Sequence, residues 1–138
     1  MTDADVWWLM TPEKNRCALL VEDEPLVALV AVDALDELGF RVLEAGSAAQ
    51  AMRLAEDNKD KIDVALIDLG LPDLPGEDLV TALRNLYPKL PIIVASGRGA
   101  SSFDAALKSM RDLIVLPKPY DFEELRQAID GLEGPAAA

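Results

Sequence analysis

Five short apolar runs recur along the chain, each followed by a polar or proline-containing turn and then by a stretch with helical spacing. Four of them, Cys17–Val21, Val64–Ile67, Ile92–Ala95 and Leu113–Leu116, are continuously apolar. Such strands are buried on both faces, which implies a parallel sheet with helices on either side. The fifth, Arg41–Ala45, alternates polar with apolar residues and reads as an edge strand, with one face in water.

The intervening stretches carry helix signals. Pro25 suits a first helical turn, and Leu26, Leu29, Val30, Ala34, Leu35 and Leu38 fall on or near one face before Gly39. Ser47 and Gln50 have the spacing of a capping box for a helix to about Asp57. A third helix runs from about Glu77 to Tyr87 on Leu79, Val80, Leu83 and Leu86, and stops before Pro88. A fourth, the least patterned, is expected after Ser101, with Ala105, Ala106, Leu107 and Met110 as its apolar surface. Asp121 and Glu124 open a fifth, whose Phe122, Leu125, Ile129 and Leu132 repeat at helical intervals up to Gly134. With Arg41–Ala45 at an edge, the expected architecture is a flavodoxin-like (βα)5 fold: a five-stranded parallel sheet in the order 2-1-3-4-5, helices on both faces.

Composition narrows the chemistry. Acids outnumber bases 25 to 13, for a net charge of −12, so no basic stripe is offered to nucleic acid or to an anionic membrane. The balance points to proteins or cations as partners. There is no histidine, which removes Ser-His-Asp and Cys-His hydrolases, His-ligated zinc and a self-contained phosphohistidine carrier. The single cysteine, Cys17, lies in an apolar run and makes no internal disulfide. No apolar run approaches the roughly 18 residues of a membrane span, and Asp3 and Asp5 stand where a signal peptide carries positive charge. A cytoplasmic location is the expectation.

In an open parallel sheet, chemistry is done in the crevice beyond the carboxyl ends of the central strands. Glu22 and Asp23 follow the first strand, Asp68 the third, Ser96 the fourth and Lys118 the fifth. Three carboxylates at one mouth repel each other unless a cation sits among them, and magnesium, which takes oxygen ligands and keeps several waters, suits that place. Lys118 can neutralise one phosphoryl oxygen as a point charge and the Ser96 hydroxyl can donate to another. The constellation reads as a phosphoryl-transfer site with Asp68 as nucleophile.

Val21-Glu22-Asp23-Glu24-Pro25, Asp68 with Pro72 and Gly76 behind it, Ser96-Gly97 and Lys118-Pro119 together resemble the receiver domain of two-component response regulators, over about Cys17 to Leu132. The resemblance implies that Asp68 is phosphorylated from a phosphohistidine on a partner histidine kinase or phosphotransfer protein. It implies magnesium held by Asp23, Asp68 and the Gly70 backbone carbonyl, with Glu22 acting through water, and a cis Lys118–Pro119 peptide. It further implies contact with a downstream protein through the face joining the fourth helix, fifth strand and fifth helix. Such a protein catalyses its own aspartyl phosphorylation and dephosphorylation and is not a turnover enzyme. Homodimerisation is left open.

Some positions depart from the family pattern. Many receivers carry an aromatic switch residue three positions before the lysine, where this chain has Val115; signalling must then use Ser96, the loop of Gly97 and Arg98, the fourth helix or Tyr120. Gly70 and Arg98 are placed to govern access of attacking water. The alternative reading is a pseudo-receiver, an interaction module independent of phosphorylation, favoured by Val115 and Gly70 and opposed by the intact Asp23, Asp68, Ser96 and Lys118. A haloacid-dehalogenase-like phosphatase needs a second acid two residues after its nucleophile, where Gly70 stands. The expected organisation is an extension over 1–15 containing Trp7 and Trp8, a stand-alone receiver over 16–133 and a frayed tail over 134–138.

Overall fold

The structure, a computed structural model, describes residues 16–97 and 112–133. The expected extension, the fourth helix, Arg98 and the C-terminal tail lie outside the described residues. Strands β1 (Arg16–Val21), β2 (Phe40–Ala45), β3 (Val64–Asp68), β4 (Ile92–Ser96) and β5 (Leu113–Pro117) form one sheet in the order β2-β1-β3-β4-β5. Every neighbouring pair is parallel. Helices α1 (Pro25–Glu37), α2 (Ala48–Asp57), α3 (Gly76–Leu86) and a C-terminal helix (Phe122–Glu133) complete the described elements.

Alternation along the strands divides the core in two. Leu19, Val21, Ala65, Ile67, Ile92 and Val94 face the layer of α2 and α3, meeting Ala48, Ala51, Ala55, Leu79, Val80 and Leu83. Ala18, Leu20, Val64, Leu66, Ile93 and Ala95 face the opposite layer, meeting Ala31, Ala34 and Leu35 of α1 and Leu125, Ala128 and Ile129 of the C-terminal helix. Continuous apolar runs are thus buried from both sides in β1, β3 and β4. β5 is the exception: Leu113, Ile114 and Val115 are only half-buried, because this strand is the second edge of the sheet.

Helix α1 departs from its sequence reading. Its buried face is the small-residue stripe Ala31, Ala34 and Leu35, whereas Leu26, Leu29 and Val30 are 79%, 58% and 62% exposed. The helix is apolar nearly all round, so periodicity alone did not select the inward face. The two capping boxes are present in different forms. Glu124 N–H donates to Asp121 Oδ1 at 2.8 Å and Asp121 N–H to Glu124 Oε1 at 3.2 Å, the full reciprocal arrangement. Gln50 N–H donates to Ser47 Oγ at 3.2 Å, but the Gln50 side chain takes the Gly46 N–H, one residue early. The two N–H groups left at the start of α2, those of Ala48 and Ala49, donate to Asp73 of the β3–α3 loop. Among the described residues, no helix is long and apolar enough to cross a membrane.

Candidate functional site

The strand register brings the expected residues to one end of the sheet. Val21 pairs with Ile67, Asp68 with Ala95 and Ser96 with Pro117, so the residues just beyond these positions share a mouth. Glu22, Asp68 and Ser96 are buried there and Asp23 is exposed. Carboxylate oxygens of Glu22, Asp23 and Asp68 lie within 4.8 Å of one another, a donor set of hard oxygens that fits magnesium.

Lys118 sits between two of these acids, its Nζ 3.2 Å from Asp68 Oδ1 and 3.3 Å from Glu22 Oε1. The Lys118 N–H donates to the Ser96 carbonyl at 2.8 Å, which fixes the start of its loop to β4, and the Lys118–Pro119 peptide is cis. Glu22 Oε2 accepts from the Glu24 N–H at 3.2 Å, and Asp68 Oδ1 from the Gly70 N–H at 3.2 Å. A Cβ built at Gly70 would lie 3.8 Å from both Asp68 oxygens, so any side chain there would border that carboxylate.

The charges act on one another. Burial raises the Glu22 carboxyl to a pKa of about 7; the Glu24 N–H and Lys118 oppose the rise, and neighbouring Asp68 adds to it. Burial would push the Lys118 ammonium down, but attraction to Asp68 and Glu22 outweighs it and the net shift is upward. Burial, with Glu22 next, raises Tyr120.

The Glu22 shift has a pH consequence. A folded-state pKa above the unfolded one means that folding favours the protonated carboxyl, so the stabilising contribution is complete below about 4.5 and lost as pH rises through about 7. In magnesium-free buffer the melting temperature is expected to fall from about pH 5 to about pH 8, and Glu22→Gln to remove most of that fall. An equal fall in the variant would assign the pH dependence to other groups.

Beside Lys118 runs a groove of about 590 Å³ bordered by Leu26, Val27 and Val30 of α1 and by Gly97, Pro119 and Tyr120. Of the switch positions read from the sequence, Gly97 and Tyr120 thus line this groove, Val115 packs half-buried against the α2 and α3 layer of the core, and Arg98 is outside the described residues. Sequence reasoning missed the exposed apolar face of α1 and the role of Asp73. Neither leaves a local signal, since each depends on what a distant element covers or offers.

The family model for the response regulator receiver domain matches residues 18–130. The sensor kinase CckA of Brucella abortus is 32% identical over 115 residues, which are 83% of this chain; the chain spans 12% of that kinase's length. A response regulator receiver domain protein from Clostridium thermocellum has a solved structure similar at TM-score 0.79 and 25% identity, covering 88% of this chain and 97% of that one. The receiver domain of the hybrid histidine kinase CckA is similar at TM-score 0.71 and 29% identity, covering 84% and 97%.

Proposed function

The chain belongs to the response regulator receiver domain family of two-component signalling, and from that premise we propose that Asp68 is its phosphoryl acceptor, loaded from a phosphohistidine on a partner kinase or phosphotransfer protein. The observation that carries this reading is Lys118 Nζ within 3.3 Å of both Asp68 and Glu22, with Asp23 beside them, at the carboxyl end of a parallel sheet. An Asp68 carboxylate oxygen attacks the donor's phosphorus, the P–O bond forms and the P–N bond breaks, and the bonding pair leaves with the imidazole. Lys118 moves its charge onto a phosphoryl oxygen, and the Ser96 hydroxyl donates to another. Asp23, Asp68 and the Gly70 carbonyl would hold magnesium, with Glu22 acting through water. Bound there, the ion neutralises charge on the transferring group. Transfer in is the input; the output is protein binding in one phosphorylation state, or onward transfer in a relay.

A donor supplied in trans must seat itself within bonding reach of Asp68. The exposed Leu26 and Val30 line the groove that opens on Lys118, and in this reading they form, with the exposed Leu29 of the same helix, the apolar part of the donor's docking face. Leu26→Asp with Val30→Asp is expected to slow transfer from a cognate phosphohistidine protein about tenfold or more while leaving reaction with acetyl phosphate within about twofold. Both side chains are solvent-facing, so stability should barely change. Equal losses with both donors would place the effect in the site and not in docking.

The function itself is tested by intact mass after incubation with acetyl phosphate, with and without magnesium. A gain of one phosphoryl group that requires magnesium supports it. No gain, together with no magnesium binding, identifies a phosphorylation-independent adaptor.

A further inference from the structure

The segment after Asp68 is a closed loop: the Gly76 N–H donates to the Leu69 carbonyl at 3.3 Å. Gly70 lies inside it, so the position of its carbonyl depends on the shape of the loop. Pro72 and Pro75 restrict the loop's own dihedrals without tying it to anything else. Leu69 and Leu71 pack against the core, and among the described residues the loop side chain that hydrogen-bonds to another element is Asp73. Its Oδ1 accepts from the Ala48 N–H at 2.9 Å and its Oδ2 from the Ala49 N–H at 3.0 Å. These are the first two helical positions of α2, and Ser47 serves the third. Both carboxylate oxygens are therefore spent on the positive end of a helix whose Ala48, Ala51 and Ala55 are buried in the core. Those bonds hold the Asp73 carboxyl below its ordinary range, so it is ionised at neutral pH.

We propose that Asp73 is a positioning residue that couples the magnesium and phosphoryl site to the first turn of α2. The inference rests on the reading of Asp68, Asp23 and the Gly70 carbonyl as the magnesium site. Because α2 is buried in the core while residues 72–75 of the loop are exposed beyond Leu69 and Leu71, which pack against that core, the helix is the anchor and the outer part of the loop is what the carboxylate holds. With the tie made, the loop is ordered before magnesium arrives; without it, binding must supply that order. Coupling between two sites is reciprocal, so magnesium must strengthen the bonds from Ala48 and Ala49 by the factor that Asp73 contributes to magnesium affinity.

Calorimetric magnesium titration of the full chain tests one half, and amide hydrogen exchange at Ala48 and Ala49 tests the other. Asp73→Ala is expected to weaken magnesium binding about five- to tenfold, with the acetyl phosphate rate at saturating magnesium within about twofold of wild type. Asp73→Asn, which keeps one acceptor, should fall between. In the wild type, magnesium should slow exchange at Ala48 and Ala49 by a matching factor. Ser47→Ala removes the Gln50 cap without touching the loop, so it should lower stability and leave magnesium affinity alone. Unchanged affinity in Asp73→Ala, or an equal loss in Ser47→Ala, overturns the coupling and leaves the Asp68 reading standing. A wild type that binds no magnesium overturns both.

Discussion

Asp68→Asn is expected to abolish phosphorylation by acetyl phosphate, a loss of at least about a thousandfold, without lowering the melting temperature in magnesium-free buffer. The two halves of this expectation have separate causes. An amide oxygen of the same shape can still accept the Gly70 N–H, now 3.2 Å from Asp68 Oδ1, but it is a poor nucleophile toward phosphorus. Removing the charge also relieves the repulsion that adds to the raised Glu22 pKa. Lys118 loses one carboxylate and keeps the other, at 3.3 Å. Intact mass and a thermal melt of the same preparation check both halves. A variant that stays phosphorylated moves the acceptor elsewhere, and one that melts well below wild type makes Asp68 a structural acid.

Gly76→Ala carries the second large effect, on stability and site together. Gly76 opens α3 directly against the strand end that carries Asp68. An added Cβ would sit 2.5 Å from Leu69 Cα, 2.6 Å from Leu69 Cδ2 and 3.2 Å from the Asp68 carbonyl oxygen. The nearest of these is backbone, so no side-chain rotation relieves the contact, and α3 or the Asp68–Gly70 segment must shift. Overpacking of this kind costs about 1 to 3 kcal/mol, and alanine's helical preference over glycine recovers at most about 1 kcal/mol, so the net is a destabilisation of roughly 1 to 2 kcal/mol. Gly131→Ala in the C-terminal helix is the contrast, because there a Cβ would meet the end of the Ile114 side chain at 3.4 Å. It should be neutral or slightly stabilising. Chemical denaturation of the two variants tests the pair, and equal stabilities would remove the steric argument. Since the displaced segment carries Asp68 and Gly70, Gly76→Ala should also slow phosphorylation in the fraction that remains folded.

The sheet was legible in the sequence because its determinants are local and repeated. The continuous apolar runs of β1, β3 and β4 lie between two helical layers, and the single alternating run, Arg41–Ala45, sorts itself to an edge as β2, whereas the continuous run of β5 gave no mark of its own edge position. The site was legible for the same reason: once the strands are ordered, the residue after each strand has only one place to go. Glu22, Asp68, Ser96 and Lys118 meet there. What could not be read were choices made by distant elements. Leu26, Leu29 and Val30 resemble Leu35 in every local respect, and they are exposed because Ala31 and Ala34 let α1 approach the sheet closely on the other side. Asp73 looks like an ordinary loop acid, and only the packing of α2 against α3 brings the N–H groups of Ala48 and Ala49 to it. The partial burial of β5 likewise reflects its edge position more than its composition.

The most direct test of the central claim is to locate the phosphoryl group chemically. Reduction of an aspartyl phosphate by borohydride converts that residue, and no other acid, into homoserine, which peptide sequencing by mass spectrometry can assign. After treatment with acetyl phosphate and magnesium, homoserine is expected at position 68 alone, and at no position when magnesium is withheld. Homoserine at Asp23 or another acid, or an intact Asp68 in protein that has gained a phosphoryl group, would contradict the account.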